Sequence, residues 1–439
     1  MPIRDILIAV TVLAFIPVSF FRPWIGVLVW SWIAYMAPHK LAWGFAQSLP
    51  VAMMIGGATI AGFIFTKDRK PLPRVLGVWM LFALAIHFTI TTTLAINPDM
   101  AWGKWNLVSK GLLITFVTMF LFQERSRLRA LFMVIALSLG YYGLKGGFWV
   151  LRTGGENRVF GPENTFFGDN NTLGLALSMA LPLMLGLARE ESRKWLRMTL
   201  RAMFALSIVA ILFTHSRGAF LALAVIMGLL IWRSPWRFRF ATVAVIASLA
   251  ALPFIPLNLE ERIESIQEYQ QDPSAIGRLQ AWTTGYHLAL ARPLTGGGFR
   301  AFNDETVWER YHPGEFLAAR DAHSLYFEVL GEHGFLGLGL YFTLLGFTLV
   351  NVRRIRKRWR AHQEHGWLAR YAEMTELALY PFLVAGAFLG VAYFDLYFHL
   401  VSIGIILTAL SARAERAITP RVVPAPKPAG LRAVRQKSA

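Results

Sequence analysis

The chain has 439 residues, of which 55% are hydrophobic and only 16% are charged, and its formal net charge is +18. A soluble globular protein has a larger charged fraction, about a quarter of its residues, so the composition excludes an ordinary soluble domain. The basic residues concentrate in short loops, which fits the positive-inside rule of membrane proteins better than nucleic-acid binding. The chain has no cysteine, which excludes disulfides and thiolate metal sites.

Apolar runs of about twenty residues predict helices that cross a bilayer, because a spanning segment must satisfy its own backbone hydrogen bonds. In chain order the candidate spans lie at about 5–20, 23–37, 49–66, 75–95, 106–122, 129–150, 171–188, 199–214, 218–232, 240–256, 324–351, 376–393 and 396–412. If all of them cross and the C-terminus is cytoplasmic, the N-terminus lies outside. If residues 5–37 do not cross twice, twelve spans remain and the N-terminus lies inside. We favour the all-α architecture with about twelve transmembrane helices.

Basic loops separate these segments, and alternation of the spans puts five of them on one side, predicted to be cytoplasmic. They are KDRKPLPR from Lys67, QERSRLR from Gln123, REESRKWLR from Arg189, RSPWRFR from Arg233 and VRRIRKRWR from Val352. The other loops then face outward, into the periplasm of a Gram-negative cell. No cleavable signal is evident, so the first apolar segment is expected to stay in place.

The predicted organisation has four parts. N-terminal transmembrane helices occupy 1–256, and a large periplasmic loop with amphipathic helices occupies 257–323. C-terminal transmembrane helices occupy 324–412. The Pro/Ala-rich, basic segment 413–439 is predicted to be a disordered cytoplasmic tail.

The long loop carries its own helical signals. Asp272 followed by Pro273 is typical of an N-cap and first helical residue, and predicts a helix over about 273–291 near the membrane surface. Its apolar stripe would be Ile276, Leu279, Thr283, Tyr286 and Leu290. An acidic stretch from Leu259 predicts a short helix before it, and LTGGGFRAF from Leu294 predicts a flexible turn after it.

Three motifs at predicted outer boundaries carry side chains suited to chemistry. They are THSRGAF with Arg217, SAIGRLQAW with Arg278, and RDAHS with His323. Each has an ordinary structural explanation: a snorkelling arginine, an arginine stacked on Trp282, and a histidine that bonds backbone at a helix start. None of the three is specific alone.

Together the motifs suggest one reaction. Two guanidinium groups suit phosphate oxygens, and a neutral imidazole can accept a proton. The sequence has no D-x-D motif and no His/Asp cluster at metal-ligand spacing. We therefore predict no metal and no cofactor, with arginine stabilising the leaving group. The chemistry that needs this set is transfer of a group from a lipid diphosphate to an acceptor hydroxyl.

Other residues are candidates for support. His215 is a rival base, ranked second because it lies at the end of an apolar run. Around the predicted catalytic histidine, the candidates to orient substrate are Trp282, His312, Glu315, Arg320 and Asp321, although HPGEF from His312 also fits an ordinary solvated turn. The segment RVFGPENTFFGDNN is expected to fold over the same cavity, with Arg158, Asp169 and Asn170 near substrate.

The three motifs, with RPLTGGGF and AHSLYFEVLGEHGFLGL, resemble the O-antigen ligase-related membrane family over about 200–340. The upstream FGPENTFFGDNNTLGLALSMALPL is similar to a branch described as O-glycosylation ligases. The resemblance implies a type C glycosyltransferase-like architecture in the bacterial inner membrane. It implies transfer of glycan from undecaprenyl diphosphate to lipid A–core oligosaccharide at the periplasmic face, without metal. It assigns Arg217 and Arg278 to the diphosphate and His323 to acceptor activation, and direct attack would invert the linkage.

Alternatives remain open at this point. The same donor could serve a protein O-glycosylation ligase, which the FGDNN segment favours, or an O-antigen polymerase. A lipid-linked glycan flippase is the non-enzymatic alternative, and would place charges deep in the spans. We expect charges within the predicted spans to be nearly absent. The exceptions are Lys145 and Asp395, which both lie near the ends of their spans, and this disfavours the flippase.

Overall fold

The computed structural model of the chain describes residues 3–239, 242, 273–316 and 318–418. Within these ranges the secondary structure is helical, with no strand. The helices are α1 (Ile3–Phe21), α2 (Pro23–Met36), α3 (Val51–Phe65), α4 (Leu76–Thr93), α5 (Pro98–Leu121), α6 (Arg125–Thr153), α7 (Asn170–Glu190), α8 (Lys194–Leu212), α9 (Arg217–Arg233), α10 (Pro273–Ala291), α11 (Glu305–Tyr311), α12 (Leu325–Trp359), α13 (Gly366–Gly386) and α14 (Asp395–Ile418). Short 3₁₀ turns occupy Pro38–Leu41, Phe45–Ser48 and Ala301–Asn303.

Lengths and hydropathy identify a multi-pass membrane protein. Among the described residues, seven helices are long and apolar enough to cross a membrane, namely α1, α4, α6, α7, α8, α12 and α14. α2 and α3 are apolar but shorter. The all-helical polytopic fold is therefore confirmed, whereas the expected twelve spans remain a prediction.

All but one of the predicted spans coincide with α1–α9 and α12–α14. The exception, 240–256, lies outside the described residues apart from residue 242. Asp272, the acidic stretch from Leu259 and residues 419–439 also lie outside them.

Several predicted boundaries are wrong, including the start of α13, which lies at Gly366 rather than at 376. α5 begins at Pro98 rather than near 106, because the Asn97 side chain caps the Met100 N–H and proline follows at the first helical position. Hydropathy alone missed its polar first turns. α13 ends at Gly386 rather than at 393. α14 continues to Ile418, so the tail predicted from 413 is helical in its first residues.

The five basic segments predicted as loops meet at one end of the bundle, although the fifth, from Val352, is helical because α12 continues to Trp359. Lys70 forms an ion pair with Glu124, which joins the first two loops. Arg129 pairs with Glu191 and thereby connects the second loop to the third. The fourth and fifth loops converge on Glu376 of α13, which pairs with Arg233, Arg353 and Arg356.

α7 and α14 lie at the centre of the bundle. Most of their residues are buried, including every residue of Leu173–Leu177 and Leu400–Leu407. α7 packs against α6, α8, α9 and α13. Helices that are apolar on all sides are expected where neighbouring helices surround them.

A kink divides α12. Gly334 has φ 67° and ψ −174°, and a Cβ there would collide with the Pro293 carbonyl. Phe335 donates its N–H to that same carbonyl at 2.8 Å. An unbroken helix of 35 residues would extend about 52 Å, well beyond a hydrocarbon core of about 30 Å. The kink therefore separates a short first segment, 325–333, from the part long enough to span.

The glycine turn after α10 is fixed against that first segment of α12. Gly297 donates to the Gly331 carbonyl at 2.8 Å and Gly298 to the Glu332 carbonyl at 2.9 Å. Gly298 has φ 85°, and a Cβ there would collide with Ala95. The predicted turn is present, but the expected flexibility is wrong, because close backbone packing requires glycine at these positions.

α10 has the predicted bounds within the described residues. Its predicted apolar stripe, including Ile276, Tyr286 and Leu290, is exposed. The packed face carries Ala281 and Gly285, and the latter lies against Gly331 of α12. An outward apolar stripe on a helix docked by small residues suits contact with lipid.

Candidate functional site

Two histidine–serine pairs begin two helices with the same local geometry. His215 has φ 55° and precedes Ser216, the N-cap of α9. His323 has φ 43° and precedes Ser324, the N-cap of α12. Left-handed φ is uncommon for residues other than glycine and costs of order 1–3 kcal/mol, and such strain concentrates at functional sites.

His323 lies among charges from three segments. Withdrawal from water lowers its pKa from the ordinary imidazole value. Asp321 and Asp169 raise that pKa, whereas Arg278 and Arg320 lower it further. The net effect is a lowered pKa, so the ring is neutral near pH 7 and can accept a proton.

Trp282 positions the histidine and does not hold the neighbouring arginine. Its ring stacks on Phe327 at 5.0 Å between centroids, with 5° between planes. Its indole N–H donates to the Ala322 carbonyl at 2.9 Å, one residue before His323. Within the described residues no cation–π contact joins Trp282 to Arg278. Stacking on Trp282, the structural role considered for that arginine, is therefore not seen.

Arg217 is the first residue of α9 and is exposed. Neither it nor Arg278 forms a hydrogen bond or an ion pair with the described residues. A cation at a helix N-terminus is unfavourable for the helix, because the dipole is positive there. Such a position instead favours an external anion, which both the guanidinium and the helix end would attract.

α9 and α12 begin against the same stretch of α13. A Cβ on Gly218 would lie 3.6 Å from Cβ of Phe388, just after α13 ends. A Cβ on Gly386 would lie 3.0 Å from the Leu325 side chain. Arg217 and His323 therefore lie at the same end of the bundle, each within two residues of a side chain or backbone that packs on the end of α13.

The segment before α7 joins these two helix starts. The Asp169 carboxylate caps α7 by accepting from the N–H groups of Asn171 at 2.8 Å and Thr172 at 3.1 Å. The Asn170 amide donates to the Thr214 carbonyl at 2.8 Å, beside the His215 turn. Two of the three candidates in this segment thus lie at the site, although each has a structural bond.

The third candidate of this segment, Arg158, is exposed and lines a separate cavity beside α6.

Residues 312–315 have structural roles. His312 Nδ1 lies 2.9 Å from the Thr284 hydroxyl, its ring packs on Trp308, and burial lowers its pKa. The Glu315 side chain is exposed, and its carbonyl accepts from the Gln280 amide at 3.3 Å. The prediction that these two residues orient substrate stays untested, while the ordinary turn is what their contacts show.

Arg320 and Asp321 lie nearer the histidine. A Cβ on Gly277 would collide with the Arg320 guanidinium, so this glycine lets the side chain lie across α10 beside Arg278. The Asp321 carboxylate accepts from the Asn303 amide at 2.8 Å. Sequence reasoning missed Asn303, because only the folded loop brings its 3₁₀ turn to Asp321.

Charged groups within helices are more numerous than Lys145 and Asp395, and that expectation is wrong. Glu332 is 4% exposed. Its carboxylate accepts from the Arg300 N–H at 2.6 Å and from the Tyr393 hydroxyl. These bonds satisfy the carboxyl group, which is why it tolerates burial in an apolar run.

Glu328, one turn earlier, accepts from the Ala392 N–H at 3.0 Å. Lys104 near the start of α5 interacts electrostatically with Glu328, Glu332 and Asp395. All four lie near the starts of their helices, at the end of the bundle that carries the histidine. The charges form a cluster beneath the site rather than a row across the membrane. The spacing of the two glutamates in EVLGE was the signal that could have found them.

Comparison with known proteins gives two family matches. Residues 3–192 match a family of unknown function, and residues 202–342 match a family described as O-antigen ligase. No curated protein matches the chain. A chain of the solved structure "Structural coordination of polymerization and crosslinking by a peptidoglycan synthase complex" is 21% identical with a TM-score of 0.39, covering 77% of this chain and 97% of that chain. The O-antigen ligase match covers residues 202–342, which hold all three motifs around Arg217, Arg278 and His323, so this region of the chain is O-antigen ligase-related.

Proposed function

We propose that the protein is an O-antigen ligase of the bacterial inner membrane. It transfers glycan from undecaprenyl diphosphate to a hydroxyl of lipid A–core oligosaccharide, at a site that faces the periplasm. The family match supports a ligase- or polymerase-like glycosyltransferase. The donor, the acceptor and independence from metal are parts of the proposal.

The observation that carries the proposal is the environment of His323. The pKa of His323 is lowered, and the positive charge of Arg278 contributes to this. The preceding residue, Ala322, is held by the hydrogen bond from the Trp282 indole to its carbonyl. A neutral imidazole beside a guanidinium suits proton removal from an alcohol next to a bound diphosphate. Arg217 would approach the same diphosphate from the start of α9.

The proposed step is a single displacement. The acceptor hydroxyl gives its proton to His323 while its oxygen attacks the anomeric carbon of the glycan. The bond from that carbon to the diphosphate oxygen breaks, and the electron pair leaves with the lipid diphosphate. Arg217 and Arg278 stabilise the charge that develops on the leaving oxygen. Attack from the face opposite the leaving group inverts the configuration at that carbon.

Purified protein supplied with a lipid-diphosphate glycan tests this directly. We expect glycan to appear on lipid A–core, at the same rate in EDTA as without it. Strong inhibition by EDTA that a divalent ion reverses would contradict the metal-free step.

Parallel acceptors separate the related functions. Transfer only to a candidate acceptor protein would identify a protein O-glycosylation ligase, and lengthening of the lipid-linked glycan would identify a polymerase. Absence of transfer to any of these acceptors, from protein that still binds donor, would overturn the enzymatic proposal. In cells, loss of the ligase leaves long glycans on the lipid carrier, whereas loss of a polymerase leaves single repeat units.

A further inference from the structure

A cavity of about 350 Å³ lies beside the outer half of α6, apart from the histidine. Lys145, Trp149 and Arg152 line it from one face of that helix, as their spacing of four and three residues requires. Arg158 and Phe160 line it from the following loop. Three cations therefore converge on a space near the lower end of typical ligand-pocket volumes, about 300–1,000 Å³.

These cations lack counter-charges within the described residues. Lys145, Arg152 and Arg158 form no ion pair there, and no acidic residue lines the cavity. A second cavity at the opposite end of the bundle differs. Asp68 and Glu124 line it together with Arg127, and both carboxylates pair with that arginine. An unpaired cationic cavity attracts anions, whereas an internally paired one has little charge left to offer.

The rim of the cationic cavity is apolar and exposed. Phe148 is 60% exposed, Trp149 is 49% and Phe160 is 58%. Leu151, the next outward residue of α6, is 66% exposed. Aromatic and aliphatic side chains exposed beside cations, at the end of a membrane-spanning helix, are typical of the interface between lipid and water. A ligand there would place its anionic group on the cations and its apolar part along α6.

The loop that closes this cavity also leads to the candidate site. The Val159 N–H donates to the Phe213 carbonyl at 3.0 Å, two residues before His215. The Gly161 N–H donates to the Gly168 carbonyl at 3.0 Å, next to Asp169. A ligand in the cavity would therefore lie on the same end of the bundle as the proposed catalytic histidine.

We infer that this cavity binds the phosphorylated headgroup of the membrane-embedded acceptor glycolipid, with its acyl chains along the exposed face of α6. That this glycolipid is the acceptor of the transfer rests on the proposed function. Binding to a phosphate-bearing glycolipid rests only on the three unpaired cations and the apolar rim. The cavity holds the acceptor while the donor diphosphate occupies the separate arginines of α9 and α10.

Equilibrium binding of lipid A to purified full-length protein in a neutral detergent tests the inference without requiring transfer. We expect phosphorylated lipid A to bind about tenfold more tightly than its dephosphorylated form. The triple variant Lys145→Gln, Arg152→Gln, Arg158→Gln should lose this difference. The matched control Lys194→Gln, Arg354→Gln, Lys357→Gln removes three exposed cations from the opposite end and should retain it. Thermal unfolding of both variants separates lost binding from lost folding.

Further arms separate the sources of phosphate. Undecaprenyl diphosphate should bind the triple variant and the wild type equally, and where transfer is measured the KM for acceptor should rise about tenfold while kcat stays constant. The inference is overturned if the triple variant, folded as the wild type is, keeps the preference for phosphorylated lipid. It is equally overturned if donor binding falls in parallel, or if inorganic phosphate alone competes as well as the lipid does. Retained binding without any transfer would contradict only the proposed function.

Discussion

The arginines at the two ends of the bundle differ in what surrounds them. At the end with the basic loops, Arg233, Arg353 and Arg356 converge on Glu376, which is buried. At the other end, Arg217 and Arg278 have neither a hydrogen-bond nor an ion-pair partner within the described residues. Composition cannot separate these two groups, since both are arginines near helix ends.

The difference indicates two uses of the same side chain. The guanidinium N–H groups of a paired arginine are already bonded to a carboxylate. Such an arginine stabilises helix packing, because without it the carboxylate would be buried without a counter-charge. An unpaired arginine leaves its donors available to an outside anion. We therefore expect substitutions at the paired end to change stability and substitutions at the unpaired end to change transfer.

The largest expected effect is at the histidine. His323→Ala should lower transfer by about 10³-fold, because the proposed base is removed, while donor binding and membrane insertion remain. Rates with purified protein and defined donor and acceptor measure this. His215→Ala is the matched control, since His215 has the same left-handed turn before a serine N-cap. If His215→Ala abolishes transfer and His323→Ala does not, the rival histidine is the base.

The unpaired arginines come next. Arg217→Gln and Arg278→Gln should each lower kcat/KM for the donor by about 10²-fold, as loss of one group that stabilises developing charge typically does. Lysine at either position should recover part of the loss, since it keeps the charge but not the planar fork. Arg354→Gln, an exposed arginine at the other end, is the control and should leave these constants unchanged. An unchanged donor kcat/KM in Arg217→Gln would remove that residue from the site.

Substitutions at the end with the paired arginines should lower the stability of the protein. Glu376→Gln removes the carboxylate that Arg353 and Arg356 pair with and leaves Arg233 with Glu373 alone. We expect it to cost about 2 kcal/mol, less than for a fully buried pair because the arginines are partly exposed. A lower thermal unfolding temperature of the purified protein, with an unchanged KM for donor, would match this expectation. A raised donor KM at full stability would instead show that the two ends are not functionally distinct.

What the sequence could predict follows from local signals. α10 was predictable because Pro273 starts a stretch with helical spacing, and the basic loops were predictable because alternation of spans fixes their side. The turn near Leu294 was predictable from its glycines. Its fixed packing was not, because the bonds that hold it come from α12.

The candidate site was predictable only in part. The motifs around Arg278 and His323 indicated two side chains that interact electrostatically in the folded protein. The indole bond of Trp282 and the amide of Asn303 depend on contacts between distant segments. Glu332 escaped attention because it lies in an apolar run, and only the folded chain shows the donors that satisfy it.

The smallest expected effect concerns pH. Since the pKa of His323 is lowered, the ring is deprotonated above a midpoint that lies below the ordinary value of about 6.5. A general base acts when deprotonated, so transfer should rise with pH through that midpoint and level off above it.

Asp321 raises the pKa of His323, so Asp321→Asn should move the midpoint of kcat/KM to lower pH. Glu309→Gln removes an exposed carboxylate of α11 that does not act on the histidine, and it should leave the midpoint in place. A merely structural role for Asp321 would lower the rate at every pH without moving the midpoint. A midpoint displaced upward would show that a different group titrates, since loss of a nearby negative charge makes an imidazole easier to deprotonate.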